Sequence, residues 1–467
     1  MSSLLQGLWP KRIIVPVVLS VLVITASTFF KAAVELEDAE QAYYSQWLRW
    51  GYDDQPPLYT WIQYFFNQLL GFNKFSFSFL RGLLFGGILL LLYQFAKNMH
   101  KDVQKAGITV FMMVLIPVFI DFTFRRLSHT SLLCFSILAT YFILERLLVK
   151  KSVGNYILFG CCVAFGLLSK YNYVLFLLAF SIVGLLDGEL RKVIFNRKIF
   201  ITILLAMVLV APHFYWLFGP NENWSMVRES IQDKTGDGTA DYLFGITPVI
   251  LIIKGLIPLM TPLLLVFLVL VLLKKVTLQR PKWDWFSELF VVQILVLLLF
   301  FLLVKAQKVE VRWLLPLLLP FIILWIKSFQ FENIIKIKRY AFVTFIMLIG
   351  FQFLRTPMEK VLGIPSSVHF GFEPISNILR QDYSDKEWVL PDVTYAGNIK
   401  LLNPNRLIFS NDDFSLGNNI KNKNKVFVHI GKIPDEYTKP TDSILGFGRE
   451  KDTLFFVPSL KRIELKD

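Results

Sequence analysis

Long hydrophobic runs recur along this chain and decide what it can fold into. Runs of roughly 16 to 28 apolar residues are long enough to cross a bilayer core of about 30 Å as helices. Of the 467 residues, 55% are hydrophobic, which is too high a fraction for a soluble enzyme of this size. We therefore predict an α-helical polytopic membrane protein. Residues 1–355 would hold about eleven spans, at roughly 13–30, 76–96, 107–122, 130–149, 154–169, 172–187, 199–217, 246–273, 286–304, 313–328 and 340–355.

The charges of the loops predict how these spans are oriented. Lys and Arg concentrate in the cytoplasmic loops of membrane proteins. With the N-terminus inside, every inside loop is basic, beginning with Lys97, Lys101 and Lys105. The same bias explains the net charge of +14 without a nucleic-acid partner. We predict a multi-pass protein of the cytoplasmic (inner) membrane with its C-terminus outside. The first run is expected to stay as a helix, because acidic residues and no cleavage site follow it.

The composition changes after Arg355, where short β-type runs replace the long apolar ones. These runs are Glu387–Leu390, Arg406–Ser410, Lys425–His429 and Thr453–Val457, with a helical stretch at Thr394–Leu402. Residues 356–467 are therefore predicted to form a small C-terminal extracytoplasmic α/β domain.

The sequence carries no signature of nucleotide or metal chemistry. It contains no P-loop, no GxGxxG and no zinc-site pattern. Cys134, Cys161 and Cys162 all fall inside apolar runs, and we interpret them as buried apolar side chains. No cofactor is expected, and the participation of a divalent metal stays open.

Two segments predicted to lie outside are long, and long loops in compact proteins are usually functional. The second, about 218–245, is polar and contains Asn221, Asn223, Asp233, Asp237 and Asp241.

The first long segment, about 31–75, combines carboxylates with aromatic residues. Glu37 and Asp38 closely follow the first span, and aromatic residues at helical spacing come next. The Pro56-Pro57 step is predicted to begin a second helix, Leu58–Leu70, whose apolar face suits the membrane interface. This arrangement would hold carboxylates just above the headgroups, facing a lipid-borne substrate.

This segment resembles the first outer loop of the GT-C glycosyltransferases of the dolichyl-phosphate-mannose-protein mannosyltransferase and aminoarabinose-transferase type. From Glu37 to Pro57 it is similar, without gaps, to a bacterial pattern of Asp-Glu-Ala, aromatic residues and Trp-Gly-Tyr-Phe-Asp-His-Pro-Pro. The resemblance covers about residues 30–355. Three further stretches fit in the expected order, namely Leu168 to Tyr171, Pro212 to Trp224 and Glu310 to Pro316.

The resemblance implies transfer of a sugar from a polyprenyl-phosphate donor to an envelope glycan, lipid or protein on the outer face of the membrane. It also implies that Glu37 or Asp38 is the general base, that Asp54 holds the base or the acceptor, and that Tyr52 contacts substrate. Glu37 is preferred, because the alignment places it at the family's Asp. A carboxylate base suits this reaction, since an acceptor hydroxyl is a poor nucleophile.

Several cations near outer span ends depart from the basic-inside pattern. A leaving lipid phosphate needs cations or hydrogen-bond donors placed in advance. We predict the donor-phosphate site among Arg125, Arg126, Lys170, Lys308 and Arg312. Lys170 and Arg312 are preferred, because both lie in family-like stretches.

Three positions differ from the family pattern, so a catalytically inactive envelope protein is one alternative. The acidic pair is inverted, and Gln55 replaces the usual His or Lys. His129, in the stretch Leu127 to Thr130, stands where the second outer loop often has Asp, and we predict that it contacts substrate. An envelope scaffold or sensor whose C-terminal domain binds glycan is a separate alternative.

The main alternative from another class is a lipid-sugar transporter or flippase. Transporters place charges near mid-membrane, often at broken helices in repeated halves. Only Lys254 fits such a position, and no inverted repeat is visible in the sequence.

Overall fold

Helices dominate the chain up to Val361 in this computed structural model. The structure describes residues 11–126, 128–220, 223–236, 246–364, 366–413, 425–430, 442–445 and 453–457. Four residues that entered the sequence analysis lie outside this part of the chain: Leu127, Asn221, Asp237 and Asp241. The chain divides into two compact units, Met1–Val23 with Asp54–Tyr59 and Arg81–Gln352, and Ile24–Asp53 with Thr60–Leu80 and Phe353–Asp467.

The described part of the chain up to Val361 forms a series of helices. In chain order they are α1 (Lys11–Ala26), α2 (Leu36–Tyr44), α3 (Leu58–Leu70), α4 (Lys74–His100), α5 (Val103–Met112), α6 (Pro117–Arg125), α7 (Ser128–Val149), α8 (Val153–Ser169), α9 (Tyr173–Leu186), α10 (Gly188–Ile194), α11 (Ile199–Phe218), α12 (Asn223–Thr235), α13 (Ile246–Leu272), α14 (Trp285–Leu303), α15 (Val311–Leu318), α16 (Ile322–Lys327) and α17 (Ile334–Val361). Short 3-10 turns follow α1, α5 and α15.

Six helical segments in the described chain are long and apolar enough to cross a membrane. They are Ile13–Phe30, Lys74–His100, Ser128–Val149, Ile199–Phe218, Ile246–Leu272 and Trp285–Leu303. The number rises to eight if each of two bent helix pairs forms one span. The chain thus has the repeated apolar helices of a multi-pass membrane protein, whereas the count of about eleven spans is not confirmed and stays a prediction.

The first bent pair falls on the predicted span 107–122, and the second begins on the predicted span 172–187 and continues beyond its end. Between α5 and α6 the direction changes by 76°. The break lies at Ile116, which is extended because a residue before proline disfavours the helical region. Between α9 and α10 the direction changes by 113° at Asp187. Its carboxylate accepts hydrogen bonds from the backbone N–H groups of Glu189 (2.9 Å) and Leu190 (2.8 Å), and so caps α10.

The predicted span 313–328 is also interrupted. A 3-10 turn at Leu319–Phe321 separates α15 from α16, and Pro320 in that turn has no N–H to continue the helical ladder. A short antiparallel sheet then joins β1 (Val276–Leu278) to β2 (Phe329–Phe331). The following helix, α17, runs to Val361, so the predicted domain boundary at residue 355 falls inside a helix.

The described residues after Val361, which belong to the second unit, contain a five-stranded mixed sheet and the helices α18 (Glu373–Asp382) and α19 (Val393–Leu402). The strands are β3 (Glu387–Leu390), β4 (Ile408–Ser410), β5 (Lys425–Ile430), β6 (Asp442–Leu445) and β7 (Thr453–Val457). Their order is β4-β3-β5-β7-β6. Strand β3 pairs in parallel with β4 and β5, while β7 is antiparallel to β5 and β6. The four predicted β-type runs all coincide with strands, and β6 was not predicted.

The core of the second unit draws on both ends of the sequence. Tyr43, Tyr44 and Tyr52 from the first outer segment pack in one cluster with Trp388 and Ile399. The helix predicted after the Pro-Pro step is confirmed as α3. This compact unit therefore includes residues 24–53 and 60–80 in addition to the C-terminal segment, and the boundary of an independent domain at 356 stays a prediction.

Candidate active site

A cavity of about 670 Å³ lies within the first unit. Its volume falls in the range typical of sites for small ligands. The apolar part of its lining includes Val174, Leu175, Leu297, Phe300, Phe301, Val304, Leu314 and Leu317. The charged residues in the lining are Asp54, Lys170, Arg228 and Lys234. Asp54 and Lys170 were predicted site residues, and the structure brings them to one cavity.

One face of α12 contributes much of the cavity lining. Trp224, Arg228, Ile231 and Thr235 all line the cavity and recur at spacings of three or four residues. Such residues share one helix face. This outer segment was predicted to be functional, but Arg228 and Lys234 were not identified. Arg228 shares the helical spacing of Trp224 and Ile231, which was the available signal, whereas Lys234 does not.

The carboxylate of Asp54 is buried and fully engaged. Its Oδ1 accepts a hydrogen bond from the Gln55 amide, 2.9 Å away, and its Oδ2 accepts one from the Ser230 hydroxyl at 2.5 Å. Lys234 forms an ion pair with the same Oδ2. Ser230 and Lys234 are one helical turn apart on α12, so Asp54 fixes this helix beside the cavity. Gln55, which departs from the family pattern, takes part in the same network.

Lys170 ends α8 in an extended conformation. Its ammonium group donates a hydrogen bond to the Thr130 hydroxyl at 2.8 Å. Two neighbouring residues, Tyr171 and Asn172, also line the cavity. The Tyr171 hydroxyl lies 3.2 Å from Nε2 of His213, and the Asn172 amide donates to the backbone oxygen of Trp313 at 2.9 Å. The three later family-like stretches therefore meet around one cavity, although each was a weak signal alone.

His129 lies in the first turn of α7 and is buried. Its Nδ1 is 3.3 Å from the backbone oxygen of Ser169, and its ring centroid is 5.6 Å from that of Tyr59. These contacts join His129 to the residue before Lys170, while His129 itself is not among the described residues that line the cavity. Contact between His129 and substrate stays a prediction.

The other predicted cations are also outside the described lining of the cavity. Arg125 is buried at the end of α6, and Arg126 after it is exposed. Lys308 is exposed, and its backbone N–H donates to the Thr235 oxygen at 3.1 Å. Arg312 is half-buried and 3.8 Å from the Glu310 carboxylate. Its neighbour Trp313, rather than Arg312, reaches the cavity.

The predicted general bases belong to the second unit. Glu37 and Asp38 occupy the first turn of α2, where Glu37 is half-buried and Asp38 is buried. Tyr52 is buried as well. Its hydroxyl donates to the Trp47 backbone oxygen at 2.8 Å and accepts from the Arg49 N–H at 3.0 Å. Burial raises the pKa of Tyr52 to about 12, so the hydroxyl keeps its proton and closes this turn.

Among the described residues, no group of three or more His, Cys, Asp and Glu side chains could hold a metal ion. The three cysteines lie in α7 and α8 as free thiols, and Cys134 is buried.

Comparison with known proteins shows which fold and which enzymes this chain resembles. Residues 54–216 match the family of dolichyl-phosphate-mannose-protein mannosyltransferases. The crystal structure of ArnT from Cupriavidus metallidurans bound to undecaprenyl phosphate is similar, with a TM-score of 0.62, 13% identity, and coverage of 95% of this chain and 97% of that one. Its apo form gives a TM-score of 0.55 over the same coverage. The predicted resemblance is confirmed: this chain is a glycosyltransferase with an ArnT-like fold, and it is similar to the enzymes of the GT-C type.

Two characterised relatives come from Rhizobium johnstonii. The lipopolysaccharide core galacturonosyltransferase RgtB is 28% identical over 396 residues, which cover 81% of this chain and 78% of RgtB. The lipopolysaccharide core galacturonosyltransferase RgtA is 30% identical over 191 residues, which cover 40% of this chain and 38% of RgtA. Both relatives are glycosyltransferases, so the flippase alternative is not favoured.

Proposed function

We propose that this chain binds a polyprenyl-phosphate sugar in the cavity beside α12 and transfers the sugar to a cell-envelope acceptor. The observation that carries the proposal is the lining of the cavity, which combines long apolar surfaces from α14 and α15 with Lys170, Arg228 and Lys234. Apolar side chains suit a prenyl tail, and several Lys and Arg together suit a phosphate through charge-assisted hydrogen bonds. The ArnT structure with undecaprenyl phosphate supports a lipid donor of this kind.

We further propose that the donor sugar is a uronic acid and that the acceptor is a lipopolysaccharide core. The described lining of the cavity holds three cations and one carboxylate, Asp54. A sugar linked to a lipid monophosphate carries a single negative charge on its phosphodiester, and a uronic acid adds a second. Two surplus cations would balance such a donor. The names of RgtB and RgtA, both lipopolysaccharide core galacturonosyltransferases, support the same sugar and acceptor.

Each of these residues would have its own role in binding or catalysis. Lys170 and Arg228 bind the phosphodiester and the sugar carboxylate, and stabilise the charge that develops on the leaving phosphate. Asp54 holds Lys234 in place through their ion pair. Glu37 or Asp38 removes the proton from the acceptor hydroxyl, as a general base does. Predicted contacts of substrate with Arg125, Arg126, His129, Lys308, Arg312 and Tyr52 stay part of the proposal.

A transfer assay with the purified full chain tests the donor directly. Undecaprenyl phosphate galacturonic acid and lipopolysaccharide core should give a product heavier by one galacturonosyl unit, observed by mass spectrometry. Undecaprenyl phosphate glucose is the matched neutral donor and should react at least about tenfold more slowly, because an unbalanced cation costs roughly 1.4 kcal/mol or more. Equal rates with both donors would contradict the uronic-acid proposal. Absence of product with both donors would contradict the proposed transfer.

The orientation of the chain is a separate proposal. We propose an inner-membrane protein with the N-terminus inside and the C-terminal segment, residues 356–467, outside, supported by the basic loops that alternate along the sequence. Alkaline phosphatase fused to the C-terminus of the full chain should be active, since that enzyme works only outside the cytoplasm. A cytoplasmic reporter that is active at the same position would contradict this orientation.

A further inference from the structure

Helix α2, which carries Glu37 and Asp38, packs directly on α19 from the C-terminal segment. Ala39 and Ala42 of α2 are completely buried. A Cβ atom at Gly397 of α19 would overlap the backbone carbonyl of Ala39. The two helices therefore approach backbone to backbone, and small residues on both sides permit this contact.

The chain just before α2 is fixed by Asn398, a buried residue of α19. The Asn398 Oδ1 atom accepts a hydrogen bond from the Val34 N–H at 2.9 Å, and its Nδ2 donates to the Val34 oxygen at 3.3 Å. One carboxamide thus pairs with both backbone groups of one residue, as a neighbouring strand would. Val34 is only three residues before Glu37, so this pair sets where the carboxylate helix begins.

The other end of α2 is fixed by β4 and the residues after it. The Tyr43 hydroxyl donates to Asp413 at 2.8 Å and accepts from the Ser410 N–H at 3.2 Å. The Gln46 carboxamide pairs with both backbone groups of Ile408, at 3.2 and 2.9 Å. Burial, together with the neighbouring Asp413 carboxylate, holds the pKa of Tyr43 well above its usual range. Tyr43 therefore keeps the proton that it donates.

We infer that the C-terminal segment is the template that positions the carboxylate helix, and that Asn398 is its principal positioning residue. The inference rests on the proposed function, in which Glu37 or Asp38 is the base. General-base catalysis depends on hydrogen-bond reach to the acceptor hydroxyl. A misplacement of about 1 Å can lower a rate by roughly 100-fold. Both ends of α2 are held by residues more than 350 positions later in the chain, so α2 takes its place only when the C-terminal segment has folded.

The test compares Asn398→Ala with Asn403→Ala in the purified full chain. Asn403 lies just after α19 and makes comparable hydrogen bonds, to Ser376 at 3.0 Å and to Ile399 at 2.8 Å, but its described bonds do not reach α2. We expect Asn398→Ala to lower kcat by roughly 10- to 100-fold with donor KM unchanged, because the base is displaced while the donor still binds. Asn403→Ala should keep the kcat of the wild type.

Hydrogen–deuterium exchange of residues 33–45 gives a readout that does not depend on the reaction. Uptake there should rise in Asn398→Ala and stay unchanged in Asn403→Ala. Unchanged uptake and kcat in Asn398→Ala, or an equal loss of kcat in both variants, would overturn the inference. If the wild type transfers no sugar, the proposed function fails. Hydrogen–deuterium exchange would still show whether α19 holds α2 in place.

A second variant, Gln46→Ala, tests the same inference if Asn398→Ala does not fold. Gln46→Ala removes the two hydrogen bonds to Ile408 at a half-buried position. It should raise exchange at the end of α2 and lower kcat by about tenfold. Wild-type exchange and kcat in this variant would contradict the inference.

Discussion

Replacing the true general base by its amide is expected to lower kcat by about 10²- to 10⁴-fold. Glu37→Gln and Asp38→Asn each keep the size of the side chain and remove its ability to take a proton. Glu37 is half-buried whereas Asp38 is buried. We therefore expect the larger loss in Glu37→Gln, because a base needs access to the acceptor hydroxyl. Initial rates with varied donor and acceptor would measure the effect.

Glu40→Gln is the matched control for this pair. Glu40 lies one helical turn after Glu37, on the same helix, and is half-buried as well. The control should retain turnover close to that of the wild type, since it makes the same chemical change nearby. Wild-type kcat in both Glu37→Gln and Asp38→Asn would contradict a catalytic role of α2. The general base would then have to be sought at the cavity of the first unit.

The sequence predicted those elements whose signals are local. The Pro56-Pro57 step determines where α3 begins, and the alternation of charges and apolar runs marks the long helices. Hydropathy does not report bends, so the interruption near Ile116 was missed although Pro117 stood in the sequence, whereas the predicted span 172–187 ends at the bend at Asp187. A proline inside an apolar run leaves open whether the helix kinks or ends.

Long-range packing left no local signal in the sequence. Helix α2 and α19 are separated by about 350 residues, and nothing near either helix indicates the other. Gly397 permits their close contact, yet a single glycine in a helical pattern has many explanations. For this reason the first outer segment was assigned to the membrane domain, whereas the structure packs most of it with the C-terminal sheet.

The candidate site was predicted where a family-like motif contained the residue itself. Asp54 and Lys170 satisfy this condition, and both line the cavity. Arg228 and Lys234 lie in a segment without such a motif. They were identified from the structure, in which both line the cavity. Arg312 was preferred among the cations because it lies in a family-like stretch, but its neighbour Trp313 lines the cavity and Arg312 does not. Neighbouring residues of a helix point in directions about 100° apart. The sequence alone does not show which of these directions faces the cavity.

Removing a cation from the cavity is expected to lower kcat/KM for the donor. A hydrogen bond to a charged group contributes about 1.5–3 kcal/mol, so Lys170→Ala and Arg228→Ala should each lower kcat/KM for the donor by roughly 10- to 150-fold. The KM for donor should rise in both. The kcat should also fall for whichever residue stabilises the leaving phosphate, because that contact strengthens in the transition state.

Two controls separate charge from structure in this experiment. Lys282→Ala removes an exposed cation outside the described lining of the cavity, at a position with no predicted contact to substrate, and should leave kcat/KM unchanged. Thr130→Val removes the hydroxyl that accepts from Lys170 while keeping the ammonium charge, so it should lower kcat/KM by less than Lys170→Ala does.

The neutral donor, undecaprenyl phosphate glucose, separates the role of Arg228 from that of Lys170. If Arg228 binds the sugar carboxylate, Arg228→Ala should lose activity with the galacturonosyl donor and change little with the glucosyl donor, whereas Lys170→Ala, at the phosphodiester, should affect both equally. An equal loss with both donors in Arg228→Ala would assign Arg228 to the phosphate instead, and unchanged kinetics in both variants would exclude this cavity as the donor site.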